Sequence, residues 1–142
     1  MAVLGDKEIR ELLKSGKLRI EPLEEEAITS NGYDMLLEDF EIKPKETKVV
    51  MSKEKVKMPN DVISLPFLRT TYAFKGLILS GGVIDAGFEG HLGFALYNPT
   101  DNAIKAEERE ETKRVIHLIF LKMEGESLNP FGKRKGELNN LL

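Results

Sequence analysis

The spacing of hydrophobic positions changes early in the chain. Ile9, Leu12 and Leu13 recur at helical spacing behind Asp6, and Gly16 follows, so the pattern predicts a short helix with Asp6 as N-cap and Gly16 as stop. A helix this short is marginal alone and has to pack on a larger body. From Leu18 onward the helical period is lost. Short alternating or clustered apolar runs then occupy 18–20, 33–42, 48–51, 62–68, 77–79, 90–97 and 114–123, and each reads as a strand. Asn31-Gly32, Pro59-Asn60-Asp61, Gly81-Gly82 and Asn98-Pro99 punctuate them as turns. Many short strands at this spacing predict a mainly β fold, either a sandwich, a jelly roll or a small barrel, with one short N-terminal helix.

Residues 69–75 could add one helical turn, but Thr70, Thr71, Tyr72 and Phe74 form helices poorly. The charge run 107–113 reads as a solvated turn between strands. After Glu124 the composition shifts: Gly125, Pro130, Gly132 and Gly136 interleave with Lys133, Arg134 and Lys135. Residues 124–142 are therefore expected to form a mobile C-terminal arm on a single domain spanning 1–142.

Composition narrows the function classes. The chain has 142 residues, 41% hydrophobic and 32% charged, with a net charge of -3, which suits one soluble globular domain. No run approaches the roughly 20 apolar residues of a membrane helix, and Asp6, Lys7 and Glu8 interrupt any secretory core, so a cytoplasmic protein without membrane contact is expected. With no cysteine and only His91 and His117, there is no disulfide framework, no thiolate metal site and no zinc cage for base deamination. A pI of about 5.5 gives no basic footprint for nucleic acid. A small anion needs only a few local cations and stays possible.

Two segments carry candidate chemistry. Gly81, Gly82, Gly87 and Gly90 bracket Val83, Ile84, Asp85 and Phe88, a pattern suggesting a hairpin whose backbone comes close to another segment or a ligand. Asp85 would be partly desolvated there, as a general base or hydroxyl-orienting group; the other reading is a turn aspartate capping local amides. Arg69, Thr70 and Thr71 offer a guanidinium and two hydroxyls on a tight turn, either a phosphate cradle or a capped turn with an exposed arginine. His117, alternating with Val115 and Ile119, reads as a satisfied core or interface histidine, or as a ligand-facing one.

Taken together and in order, these segments resemble the trimeric dUTPase and dCTP deaminase superfamily, and especially its small archaeal dUTPase-like members. Asn31-Gly32-Tyr33-Asp34-Met35 is similar to the first family motif. Pro59-Asn60-Asp61-Val62 with Arg69-Thr70-Thr71-Tyr72-Ala73 is similar to the second, and Gly82-Val83-Ile84-Asp85-Ala86-Gly87-Phe88-Glu89-Gly90 to the third. Arg114-Val115-Ile116-His117-Leu118 resembles the fourth.

The resemblance implies a distorted jelly-roll-like β-barrel assembled as a homotrimer, with active sites between subunits and a C-terminal arm that closes over bound nucleotide. The implied activity is dUTP diphosphatase, converting dUTP to dUMP and pyrophosphate and keeping uracil out of DNA. By motif, Asp85 would activate the attacking water and Phe88 would pack on the deoxyribose. The backbone of Gly82, Val83 and Ile84 would read the uracil edge. Arg69, Thr70, Thr71 and His117 would bind phosphate, and Arg134 in the arm would reach base or phosphate. Mg2+ would be held mainly by the triphosphate, with Asp34 a candidate contact through water.

The sequence departs from the pattern at several places. Ala95 and Phe74 stand where the deaminases carry a catalytic glutamate and a second arginine, which argues against dCTP deamination. Thr70 and Thr71 replace serines, and His117 replaces a glutamine. Asn129-Pro130-Phe131-Gly132 resembles the entrance to the last motif, but Arg134-Lys135-Gly136-Glu137 lacks its aromatic residue. A non-catalytic deoxynucleotide-binding or sensing module, and a dNTP diphosphatase of other base preference, stay open as alternatives.

Overall fold

A computed structural model describes residues 2–131; the expected arm residue Arg134 lies outside the described residues. Helix α1 spans Asp6–Ser15, and its N-cap is Gly5, not Asp6. Gly5 has the extended backbone of a cap (φ -83°, ψ 177°), whereas Asp6 is already helical and donates its N–H to the Ser30 carbonyl. Asp6 and Glu8 in the first turn and Lys14 in the last still suit the helix dipole. Gly16 ends the helix in the left-handed region (φ 78°), as expected. Fully buried Ile9 packs the helix onto the core.

The strands are β1 (Ala2–Val3), β2 (Arg19–Glu21), β3 (Ile28–Thr29), β4 (Gly32–Met35), β5 (Glu41–Ile42), β6 (Thr47–Lys57), β7 (Val62–Leu68), β8 (Ile78–Ser80), β9 (Glu89–Tyr97), β10 (Ile104–Lys105) and β11 (Ile116–Lys122). In one sheet β11 pairs with β1 and β4, β4 with β3, and β11 also with β7. A second sheet runs β2-β6-β9-β8, and β10 pairs with β5 as a small ribbon. Among the described residues these three sheets, joined by isolated bridges at Leu37–Ser52 and Ser64–Ile84, do not close into a barrel. Tyr33, Met35, Ile42, Leu96, Ile116, Leu118 and Phe120 fill the space between them with little or no exposure.

The structure differs from the pattern-based expectation in three places. The run at 33–42 is broken after Met35, so β4 and β5 are separate strands. Strand β6 continues to Lys57, well past the expected end at Met51. A second helix, α2 (Thr70–Phe74), forms despite its residue preferences. Tyr72 anchors it: the ring is fully buried, and its hydroxyl donates to the Thr112 carbonyl and accepts from the Glu107 N–H. The run 107–113 consequently folds back onto α2, with its outer residues still exposed.

Candidate functional site

Strands β4 and β11 set Asp34 directly opposite His117, so the two side chains share a face. His117 Nδ1 meets Asp34 Oδ1 at 2.8 Å. Gly32 makes this approach possible, because a Cβ there would lie 2.1 Å from the Leu118 carbonyl oxygen and 2.7 Å from His117 Cε1. Arg69 follows β7, and its N–H donates to the Val115 carbonyl, which brings its side chain to the same place. Its Nε lies 3.2 Å from Asp34 Oδ2, and its Nη1 donates to the Arg114 carbonyl at 3.2 Å. Both oxygens of Asp34 are thus engaged by cations or cation precursors.

Asp34, Arg69, Thr70, Thr71 and His117 line one open cavity of about 310 Å³, with Thr29 and Asn31 at its edge. A guanidinium, an imidazole and two hydroxyls converging on one cavity can bind an anion. An incoming anion has to share Arg69 and His117 with the Asp34 carboxylate. No group of three His, Asp or Glu able to hold a metal occurs among the described residues.

The glycine-rich hairpin lies elsewhere on the chain. Ile84 and Ser64 exchange both backbone hydrogen bonds, and the Ile84 side chain is buried. Its amide and carbonyl are therefore committed to β7, which removes it from the expected base-reading set. Gly82 and Val83 are exposed, and neither makes a backbone hydrogen bond among the described residues. Asp85 opens a turn closed by Phe88 N–H to the Asp85 carbonyl, with Gly87 at φ 81° in the position that needs a left-handed residue. Asp85 is exposed, not partly desolvated as its apolar neighbours suggested. The Phe88 ring packs at 5.2 Å on Phe131, whose N–H donates to Ala86, so one face of Phe88 is covered by the chain's own C-terminal segment.

The two halves stand at opposite ends of β7. Ile84 is bridged to Ser64, so in an antiparallel pair Asp85 runs toward Ile63 and away from Arg69. Five residues of strand lie between Ile63 and Arg69, a run of roughly 20 Å of backbone. Asp85 and Arg69 of one chain do not share a cavity.

Behind Asp34 is a buried charge pair that sequence reading missed. Glu54 is 1% exposed, and its carboxylate accepts from the Leu36 N–H at 3.0 and 3.2 Å. Arg114 Nη1 donates to the Asp34 carbonyl at 2.8 Å and reaches Glu54 at 3.4 Å. Burial pushes the Glu54 carboxyl above its ordinary value, against the opposing pull of these donors. The only signal in the sequence is the alternation of Val50, Ser52, Glu54 and Val56, which continues the inward face of β6 through two polar residues. On the opposite flank of α2, Lys75 and Arg109 bind Glu107, and Lys75 above all holds that carboxyl down to about 2.

These features define a mainly β domain with a cavity lined by Asp34, Arg69, Thr70, Thr71 and His117 at one end of a strand and a turn bearing the Asp85 carboxylate at the other. The dUTPase family model matches residues 21–138. A probable deoxyuridine 5'-triphosphate nucleotidohydrolase of Sulfolobus islandicus rod-shaped virus 1 is 34% identical over 134 aligned positions, covering 83% of this chain and 82% of that protein. A dCTP deaminase of Pyrobaculum islandicum is 28% identical, covering 89% and 88%. Among solved structures, a dUTPase of Staphylococcus bacteriophage 80alpha superposes with a TM-score of 0.61 at 22% identity, covering 78% of this chain and 93% of that one. At that identity it shows the fold. The chain belongs to the dUTPase family.

Proposed function

We propose that the protein hydrolyses dUTP to dUMP and pyrophosphate, at sites built between copies of the chain in a homotrimer. The observation that carries this reading is the division of one family site into two complementary halves on opposite ends of β7. One half offers Arg69, Thr70, Thr71 and His117 to an anion; the other offers the exposed Asp85, while Gly82 and Val83, with unpaired peptide groups, run back along β7 toward Pro66 and Leu68. Exposed Val49, Met51 and Ile78 on the second sheet supply apolar surface for assembly.

In the reaction, Asp85 accepts a proton from a water as that water's oxygen bonds to the α-phosphorus. The bond from the α-phosphorus to the bridging oxygen breaks, and pyrophosphate leaves with that oxygen. Arg69 and His117 hold the phosphates, and Gly82 and Val83 meet the base through the backbone. Phe88 packs on the sugar once Phe131 vacates its face. Magnesium, when bound with the triphosphate, neutralises phosphate charge; no protein cage for it is required.

Ala95 and Phe74 offer no carboxylate and no second arginine for deamination, which favours this reading over that of the deaminase relatives. A non-catalytic binding module is the second reading; in either one an incoming phosphate has to share Arg69 and His117 with Asp34. Pyrophosphate release by Asp85→Asn separates the two. Loss of about a hundredfold or more in rate, with dUTP still bound, is the expected result. A rate close to wild type removes Asp85 from the reaction.

A further inference from the structure

We propose that Glu54, acting through Arg114, is a positioning residue for the phosphate end of the site, because together they fix the two peptide groups that follow Asp34, on either side of Met35. This rests on the dUTP reading above, but its test does not require turnover. Arg114 grips the Asp34 carbonyl at 2.8 Å, and Glu54 grips the Leu36 N–H at 3.0 Å. With the chain leaving Asp34 held at both peptides around Met35, the Asp34 carboxylate is aimed at His117 and Arg69. Arg114 also leads into β11, which carries His117, so one guanidinium ties together both strands that build the cavity.

Stability alone gives little reason for such a pair. A buried ion pair costs desolvation of both partners, and apolar side chains of similar volume commonly serve stability as well or better. The local backbone is also specialised. The β6–β9 register shifts between Met51 and Lys55, and inside this irregularity the Ser52 hydroxyl donates to the Glu54 carbonyl. Bulges of this kind re-aim side chains. Here β6 leaves β9 locally and meets the end of β4, through the Leu37–Ser52 bridge and the Glu54 carboxylate.

Glu54→Gln isolates the effect, since an amide oxygen can still accept from Leu36 but carries no charge to hold Arg114. Calorimetric binding of pyrophosphate, dUMP and the analogue dUpNHpp to the full chain reads it. The expected result is an affinity loss of about tenfold for dUpNHpp and pyrophosphate, with dUMP changed by less than about twofold, and no added loss in an Arg69→Ala background. Equal losses for dUMP and dUpNHpp, or losses that add to those of Arg69→Ala, overturn the proposal. If Glu54→Gln does not fold, Arg114→Lys is expected to give the same selective pattern and carries the same test. A wild type that binds dUpNHpp no better than dUMP overturns the functional reading, while the pyrophosphate comparison still decides the role of Glu54.

Discussion

His117 and Asp34 are direct cross-strand partners whose side chains meet at 2.8 Å, and the same carboxylate holds Arg69 at 3.2 Å. The carboxylate therefore sets where both the Arg69 guanidinium and the His117 imidazole point. Removing the imidazole in His117→Ala leaves Asp34 Oδ1 without its partner and takes a donor from the cavity. Triphosphate affinity, measured with dUpNHpp, is expected to fall about tenfold, the scale of one hydrogen bond to a charged group. His117→Gln restores a neutral donor and is expected to recover most of that loss. No change in His117→Ala contradicts a phosphate role for this residue.

The roughly 20 Å of β7 between the two half-sites makes a second outcome testable. If each site takes Asp85 from one chain and Arg69 from its neighbour, two inactive variants complement each other. Asp85→Asn and Arg69→Ala proteins, unfolded, mixed in equal amounts and refolded, are expected to regain roughly a quarter of wild-type activity, the random share of interfaces with both residues intact. Activity that stays at the level of the separate variants contradicts a shared site.

Acid stability follows from Glu107. Lys75 holds its carboxyl at about 2, below the ordinary 4.5, so its pKa is depressed by folding. A depressed carboxyl adds stability that is complete above the unfolded value and is lost as pH falls from 4.5 through about 2. Lys75→Ala is expected to flatten this limb of the urea-unfolding midpoint against pH, the variant lying below wild type at neutral pH and converging with it as pH falls toward 2. An identical acid slope in the variant contradicts the pairing. Glu54 acts in the opposite sense: burial raises its carboxyl, so its contribution weakens as pH rises from the ordinary carboxylate value through the raised one.

Much of the strand order was legible because apolar alternation is strong where one face is buried, as in β7, β9 and β11. The alternation faded where the inward positions are polar. Ser52 and Glu54 face inward in β6, between outward Met51, Lys53 and Lys55, and so conceal half of the longest strand. The same two residues explain the break after Met35, where a side-chain carboxylate takes the Leu36 N–H in place of a strand neighbour. Asp34, Arg69 and His117 were each visible as motif residues, but their mutual engagement depends on the β4–β11 register and on the absence of a side chain at Gly32. Gly32 stands in the sequence as a turn residue, but the register that sets it against Leu118 and His117 is not written locally. Ile84 was misplaced for a similar reason, since only the pairing with Ser64 reveals that its peptide groups are already used.

The most direct test of the central claim is a product assay on purified protein with magnesium and each deoxynucleoside triphosphate in turn, reading pyrophosphate and ammonia separately. Pyrophosphate from dUTP, with no ammonia from dCTP, is the expected result. Ammonia from dCTP, or dUTP that binds without releasing pyrophosphate, contradicts it.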